Sequence, residues 1–282
     1  MTAGSAVLDH VVVNALFETD AAAACFSMLG FTLTPRGYHS LGSVNHLMMF
    51  SDHYLELVGL PVGATVVRKE ILESRLGLDG LVYKTDDAQA TYACLLGAGV
   101  RASEPQAFTR PLEIDGRKET ARFRTTRLLA GEVPGGRIYF CEHLTPQWVF
   151  RPEWATHSNG ASGLFELVIV GRDPSADAVR YALAVGICAP GFTLSFLSEA
   201  DYAARYGELS CKRADRDSYF GSLTVVVKDL RDVRRRLEAE TGRLCEVDYA
   251  DSIHPATGDA SIVVFLRDLN VVIEFIGAVH DV

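Results

Sequence analysis

Val7-Leu8-Asp9-His10-Val11-Val12-Val13-Asn14-Ala15-Leu16, followed by Thr19-Asp20, the run Ala21–Leu29 and then Gly30-Phe31, is the stretch on which the reading of this chain turns. Its opening is apolar and β-branched, as a strand requires. Thr19-Asp20 supplies side-chain oxygens suited to a helix N-cap, the alanine-rich run is a strong helix former, and Gly30 suits a left-handed stop. Phe31–Pro35 and His46–Phe50 then read as strands, and Tyr54–Leu60 closes the unit after the turn Ser51-Asp52-His53. The predicted order is β-α-β-β-β.

The pattern recurs along the chain, and a repeat decides a fold. A second unit opens with Gly80–Lys84, turns at Thr85-Asp86-Asp87, runs a helix through Ala88–Leu96 and adds strands near Phe108, at Arg122–Leu129 and at Arg137–His143. An exposed hairpin tip is expected around Asp115-Gly116. After a polar, aromatic connector, Thr145–Gly163, a third unit begins with Leu164–Val170, a cap at Asp173-Pro174-Ser175 and a helix over Ala176–Val185, but its remaining strands are short or irregular. The fourth is clear: Ser222–Val227, a helix over Leu230–Glu240, then strands at Leu244–Val247, Ser261–Leu266 and Val271–Ile276. Such units cannot each bury a sheet face alone, so they should pair around common cavities. The expected fold is α+β, four βαβββ modules in two pairs, each pair forming a cupped mixed sheet with helices outside. Residues 1–151 would hold the first pair and 152–282 the second.

Composition narrows the function classes. With 48% hydrophobic and 22% charged residues over 282 positions, the chain is ordinary for a globular protein, and no apolar stretch approaches a membrane span. A formal net charge of −9 argues against nucleic acid or an anionic membrane as partner. Arg231, Arg234, Arg235 and Arg236 are interleaved with Asp229, Asp232, Glu238 and Glu240, as on a solvated helix face. Cys25, Cys94, Cys141, Cys188, Cys211 and Cys245 lie far apart without a Cys-x-x-Cys pair, so neither a disulfide framework nor a cysteine zinc site is expected. Met1–Ser5 leads into the first strand without a secretory pattern, and a cytoplasmic location is the expectation. No dinucleotide loop, Walker sequence, Gly-x-Ser-x-Gly elbow or His-Glu-x-x-His helix occurs.

The opening Leu8-Asp9-His10-Val11-Val12-Val13, the helix end Met28-Leu29-Gly30-Phe31, the closing Tyr54-Leu55-Glu56-Leu57, and the segment Phe140-Cys141-Glu142-His143-Leu144-Thr145-Pro146 with Arg151-Pro152-Glu153-Trp154 carry a resemblance. They resemble the vicinal oxygen chelate superfamily, in its glyoxalase, bleomycin-resistance and dioxygenase branch. The resemblance implies a divalent metal in the cup of a module pair, held from the first and last strands of the two modules. Projected onto this sequence, those positions are His10, Glu56, Gly80 and Glu142. An imidazole and two carboxylates suit Fe, Mn, Co, Ni or Zn. Gly80 departs from the pattern, since it has no side chain to offer.

Taken as residues, the candidates have other readings. His10 can be a sheet histidine satisfied by backbone, whereas Glu56, between Leu55 and Leu57, must reach water, a cation or a donor. Glu142 and His143 are adjacent, and strand side chains alternate, so only one of them faces the cup. Register with Glu56 favours Glu142, and a bulge would favour His143 as ligand or base. His46 lies on a middle strand, either as a base in the cup wall or as a polar residue outside. His39 and His53 sit at turns and are expected to be exposed. In the second half the matching positions are Glu166, Ser222 and Glu274, without histidine, and His254 lies on a loop. Trp148, Phe150 and Trp154 either dock the halves together or cover a substrate.

Two functions follow. The first is a metal-dependent enzyme of the glyoxalase and dioxygenase class acting on a small oxygen-chelating substrate, with His10, Glu56 and Glu142 as ligands and His143 or His46 as base. The second is a metal-free small-molecule binder, as in drug-sequestering members of the superfamily, in which an arginine such as Arg110 or Arg124 satisfies Glu56. An enzyme using acid-base residues alone stands between them. Edge strands offer a route to a homodimer.

Overall fold

A computed structural model describes residues 6–64, 68–114, 116–186, 190–213, 216–240 and 245–278. Met1–Ser5, Asp115, Cys188 and Leu244, all named above, lie outside those ranges.

The first module contains β1 (Leu8–Asn14), α1 (Thr19–Met28), β2 (Gly37–Tyr38), β3 (Val44–Met49) and β4 (Tyr54–Gly59). β1 is buried along its whole length, which is why Val11, Val12 and Val13 follow one another without an intervening polar residue. Gly30 ends α1 with φ +91°, the left-handed conformation a glycine adopts without a Cβ penalty. Phe31–Pro35, expected as a strand, runs without ladder pairing. Pro35 has no N–H to give, and the Thr34 hydroxyl takes the Leu47 N–H that a strand carbonyl would otherwise accept.

The second module follows a short helix, α2 (Lys69–Leu72), and comprises β5 (Gly77–Lys84), α3 (Ala88–Gly97), β6 (Gln106–Ile114), β7 (Arg117–Arg127) and β8 (Arg137–His143). Ile114 pairs with Arg117 across the hairpin tip. The third has β9 (Ala161–Val170), α4 (Pro174–Val185) and β10 (Thr193–Leu197), and then a helix, α5 (Glu199–Tyr206), in place of further strands. The fourth has β11 (Tyr219–Val227), α6 (Leu230–Glu240), β12 (Val247–Ile253), β13 (Ala260–Leu266) and β14 (Val271–Gly277).

Strand order shows the duplication. The eight-stranded sheet runs β2-β3-β4-β1-β5-β8-β7-β6 and the six-stranded sheet β10-β9-β11-β14-β13-β12. In every module the first strand lies parallel to the last one, and paired modules meet through antiparallel first strands, β1 on β5 and β9 on β11. The eight-stranded sheet curls until its edges touch: Ser40 N donates to Thr109 O at 2.9 Å, and Thr109 N to Ser40 Oγ at 3.0 Å.

The sheet faces turned away from the two cups share one apolar core with the helices, in which Val11, Val13, Phe26 and Leu81 join Leu167, Phe220, Leu223 and Phe275. Each cup has its own lining cluster. Arg75 fastens the halves, donating to Phe220 O at 3.1 Å and Lys212 O at 2.7 Å. No helix among the described residues is long and apolar enough to cross a membrane.

Candidate functional site

The first cup is a cavity with about 680 Å³ of empty space, part of it open to solvent. Its walls are Val12, Leu47, Val58, Ile71, Val82, Phe108 and Phe123, and its polar groups come mainly from strand positions spaced by two residues. Val12 pairs with Glu56 and His10 with Tyr54 across the parallel β1–β4 ladder, so these side chains share the inner face. The His10 ring stacks on Tyr54, centroids 4.3 Å apart and planes 13° from parallel.

A bulge changes what strand alternation would give. The β1–β5 register shifts between Leu8 and His10, so Asp9 is an extra residue with no partner of its own. Its fully buried carboxylate lies 2.6 Å from His10 Nδ1 and 2.9 and 3.0 Å from His143 Nε2. Burial alone would raise the Asp9 pKa; the charge of His143 and the hydrogen bonds from both rings outweigh it and hold the carboxyl well below the usual range. Nδ1 of His10 is therefore committed to Asp9, which leaves Nε2 turned to the cup, 3.6 Å from Glu56 Oε2.

Glu56 accepts from Asn45 Nδ2 at 2.7 Å through its other oxygen. Burial pushes its pKa up, but His10, His39, Asn45 and Arg110 together leave it lowered. His39, expected on an exposed turn, lines this cavity instead, 2.9 Å from Ser43 Oγ and 3.3 Å from Asn45 Nδ2. Burial pushes its pKa down to about 4, only partly offset by Glu56, so it is neutral at pH 7.

The structure brings His10 and Glu56 together and leaves Glu142 out. β8 pairs without a register break, so Cys141 lies on the cup side and Glu142 on the opposite face. There its carboxylate accepts from Ala88 N at 3.0 Å, at the start of α3, and lies 3.5 Å from Arg124. The expected register was displaced. Val12 pairs with Glu56 in the first module and Val82 with Tyr139 in the second, so Tyr139 is the counterpart of Glu56. His143 reaches inward without a bulge in its own strand; the bulge is in β1. Gly80 opens no coordination position, because Val12 fills the space: a Cβ there would come within 2.8 Å of Val12 Cβ.

His46 faces away from the cup, 2.8 Å from Thr34 O and 3.4 Å from Arg36 Nε, and does not meet His10 or Glu56. His53 accepts from Leu164 N at 2.9 Å, tying the two halves, rather than standing in solvent. Trp148, Phe150 and Trp154 pack against the lining of the first cup rather than between the halves. Neither arginine named as a partner for Glu56 pairs with it: Arg124 is with Glu142, and Arg110 makes no hydrogen bond or ion pair among the described residues.

A divalent metal is tested against these donors. The expected set fails, since only His10 and Glu56 converge and the two remaining strand positions hold Gly80 and Tyr139. A different group, Asp9, Cys141 and His143, has ligand atoms within 4.8 Å of one another. Both oxygens of Asp9 are, however, already engaged by the two imidazoles. The donor set fits a hydrogen-bonded relay better than a metal centre.

The second cup is filled by its own chain. Arg205, from α5, reaches Glu166 at 2.7 Å and Glu274 at 2.9 Å, and Tyr206 OH donates to Glu274 at 2.9 Å. His254 Nε2, fully buried, lies 3.1 Å from Glu166. These residues form a buried ion-pair network.

The Glyoxalase-like domain family profile matches residues 8–185 of this sequence. A comparison with curated proteins gives no match. Among solved structures, a hypothetical protein from Staphylococcus aureus superposes with a TM-score of 0.60 at 10% identity, covering 96% of this chain and 99% of that one. A mutant 4-hydroxymandelate synthase from Streptomyces coelicolor gives 0.57 at 10% identity, over 96% and 91%. A halotolerant catechol dioxygenase gives 0.55 at 14% identity, over 100% and 90%. At such identities the likeness speaks for the fold.

Proposed function

The chain belongs to the Glyoxalase-like domain family, and from that premise we propose that it is an enzyme of the vicinal oxygen chelate superfamily that moves a proton on a small molecule enclosed in the first cup. The observation that carries this reading is the fixed polarity of His10. Asp9 holds Nδ1, so the base nitrogen is Nε2, and Nε2 faces the cavity beside Glu56. This nitrogen and the carboxylate oxygen face each other 3.6 Å apart in the cup. A C–H or O–H of the substrate brought to that gap gives its proton to Nε2. The imidazolium so formed lies between Asp9 and Glu56, both of which stabilise it. His143, on the far side of Asp9, holds the carboxylate that orients His10.

This is acid-base chemistry by the protein's own residues, in a fold whose other members include a dioxygenase. The test is exchange of substrate hydrogen with deuterated water, followed by NMR over a panel of small 2-oxo and 2-hydroxy acids and their esters. Exchange should fall by about 10²–10⁴-fold in His10→Gln, with the fold intact by circular dichroism. No exchange across the panel, full exchange in His10→Gln, or loss of exchange together with a stoichiometric metal on chelation would overturn the reading.

A further inference from the structure

Arg110 sits in β6 with its side chain inside the first cup and only 4% of its surface exposed. Buried guanidinium groups are ordinarily paired, because an uncompensated charge in a low-dielectric site is costly. The other arginines lining this cavity obey that rule: Arg68 and Arg127 both reach Glu70, and Arg137 reaches Asp79 at 2.9 Å. Arg110 has no carboxylate within 4 Å, and its Nε has no hydrogen-bond partner among the described residues. Glu56 lies near enough to favour its charge but makes no ion pair with it, being bonded to Asn45.

Two further features make this a built position. Gly37 lets β2 pass over the arginine stem, since a Cβ there would lie 2.5 Å from Arg110 Cδ. Arg137 Nη2, on the same cavity wall, is a second buried guanidinium nitrogen without an acceptor. Charge is in surplus too: Glu70 serves two arginines, and Asp79 is shared by Arg137 and Arg216.

We infer that Arg110 is the anchor for the carboxylate of the substrate, so that the cup takes small monocarboxylic acids with an apolar body. A planar guanidinium matches a carboxylate through two parallel N–H···O bonds. The apolar body then lies on Phe108 and Phe123, which stack with centroids 5.0 Å apart, and against Leu47, Val58 and Val82. This names the substrate class for the site read above and rests on that reading's choice of cup, but it concerns binding alone.

Calorimetric titration of the full chain with 3-phenylpropanoate, its uncharged amide and inorganic phosphate separates the possibilities. The acid should bind about 10–100-fold more tightly than the amide, and phosphate should not displace it. Arg110→Met should lose that preference, and without ligand should melt no lower than the parent, because it removes an unpaired buried charge rather than a contact. Arg110→Lys should recover part of the preference. Equal binding of acid and amide, undiminished acid binding in Arg110→Met, displacement by phosphate, or no binding of the acid would each overturn the inference. His10→Gln should still bind the acid; if it does while exchange persists, the catalytic reading falls and this one stands.

Discussion

Arg205 is the residue whose removal this structure predicts most sharply. It bridges two carboxylates, Glu166 and Glu274, that are 2% and 1% exposed. Replacing it with methionine keeps the apolar stem and deletes the charge. Glu166 would retain Ser195 and His254, and Glu274 would retain Tyr206 and Ser261, so hydrogen bonds survive but the cation bridging both groups is gone. Breaking a buried ion pair from one side costs roughly 3–5 kcal/mol, and for a chain of this size that lowers the melting point by about 5–8 °C. Scanning calorimetry and urea titration at pH 7 measure both. The pH dependence follows from Glu166, whose pKa burial raises but His254, Arg205 and Ser195 bring down to about 2. A lowered carboxyl stabilises the folded chain above about pH 4.5, and that stability is lost as pH falls through about 2. Without Arg205 the Glu166 carboxyl protonates at higher pH, so the gap between variant and parent should narrow on acidification. Adding Glu166→Gln and Glu274→Gln to Arg205→Met should restore most of the loss. A variant within about 1 kcal/mol of the parent at pH 7 would show that the network is not an ionic plug.

Asp9→Asn presents an amide to two imidazoles, one of which must change tautomer; proton exchange should drop by about 10²–10⁴-fold, and an unchanged rate would make the relay purely structural. Glu142→Ala should cost about 1 kcal/mol by exposing the first turn of α3, with exchange untouched; loss of exchange would return Glu142 to the chemistry. Gly80→Ala should destabilise by roughly 1–3 kcal/mol through the contact with Val12, relieved by Val12→Ala, as chemical denaturation would reveal. His39, lowered to about 4 by burial, and Glu70, lowered to about 2 chiefly by Arg68 against its burial, set an acid limb. Stability should be full above about pH 6.5, fall toward pH 4 as the unfolded chain takes a proton that buried His39 refuses, and fall again toward pH 2; melting points that rise between pH 7 and 5 would contradict this.

The modules were legible because each restates one instruction: a mainly apolar first strand, a helix, then further strands. The third unit's irregularity was legible too, although not that α5 would replace strands and close the cup. The site was harder to read because its register depends on one extra residue. Strand alternation places Asp9 opposite His10, and only the bulge between Leu8 and His10 turns its carboxylate to both imidazoles. No residue in Leu8–Asn14 announces a bulge. The one available signal was a charged side chain inside a buried strand, which must be paired wherever it points. Glu142 failed for a related reason. Matching it to Glu56 by position near a strand end ignored that the β5–β8 ladder, unlike chain distance, makes Tyr139 the counterpart.

The two cups are one device with opposite charge balance. In the second, a strand glutamate on β9 and another on β14 close upon Arg205, an internal cation carried by α5. In the first, the glutamate on β4 is held by Asn45, and the arginine that enters the cavity from β6 is left without an anion. A duplicated fold that had merely lost its function in both halves would be expected to satisfy both arginines. The half that leaves its guanidinium unpaired is also the half with a cavity, a buried His10–Asp9–His143 chain and an apolar wall. Reversing the balance is therefore the direct way to link the two. Introducing an internal carboxylate into the cavity that Arg110 lines, as in Val58→Glu, should block acid binding while leaving the second cup and its Arg205 network unchanged.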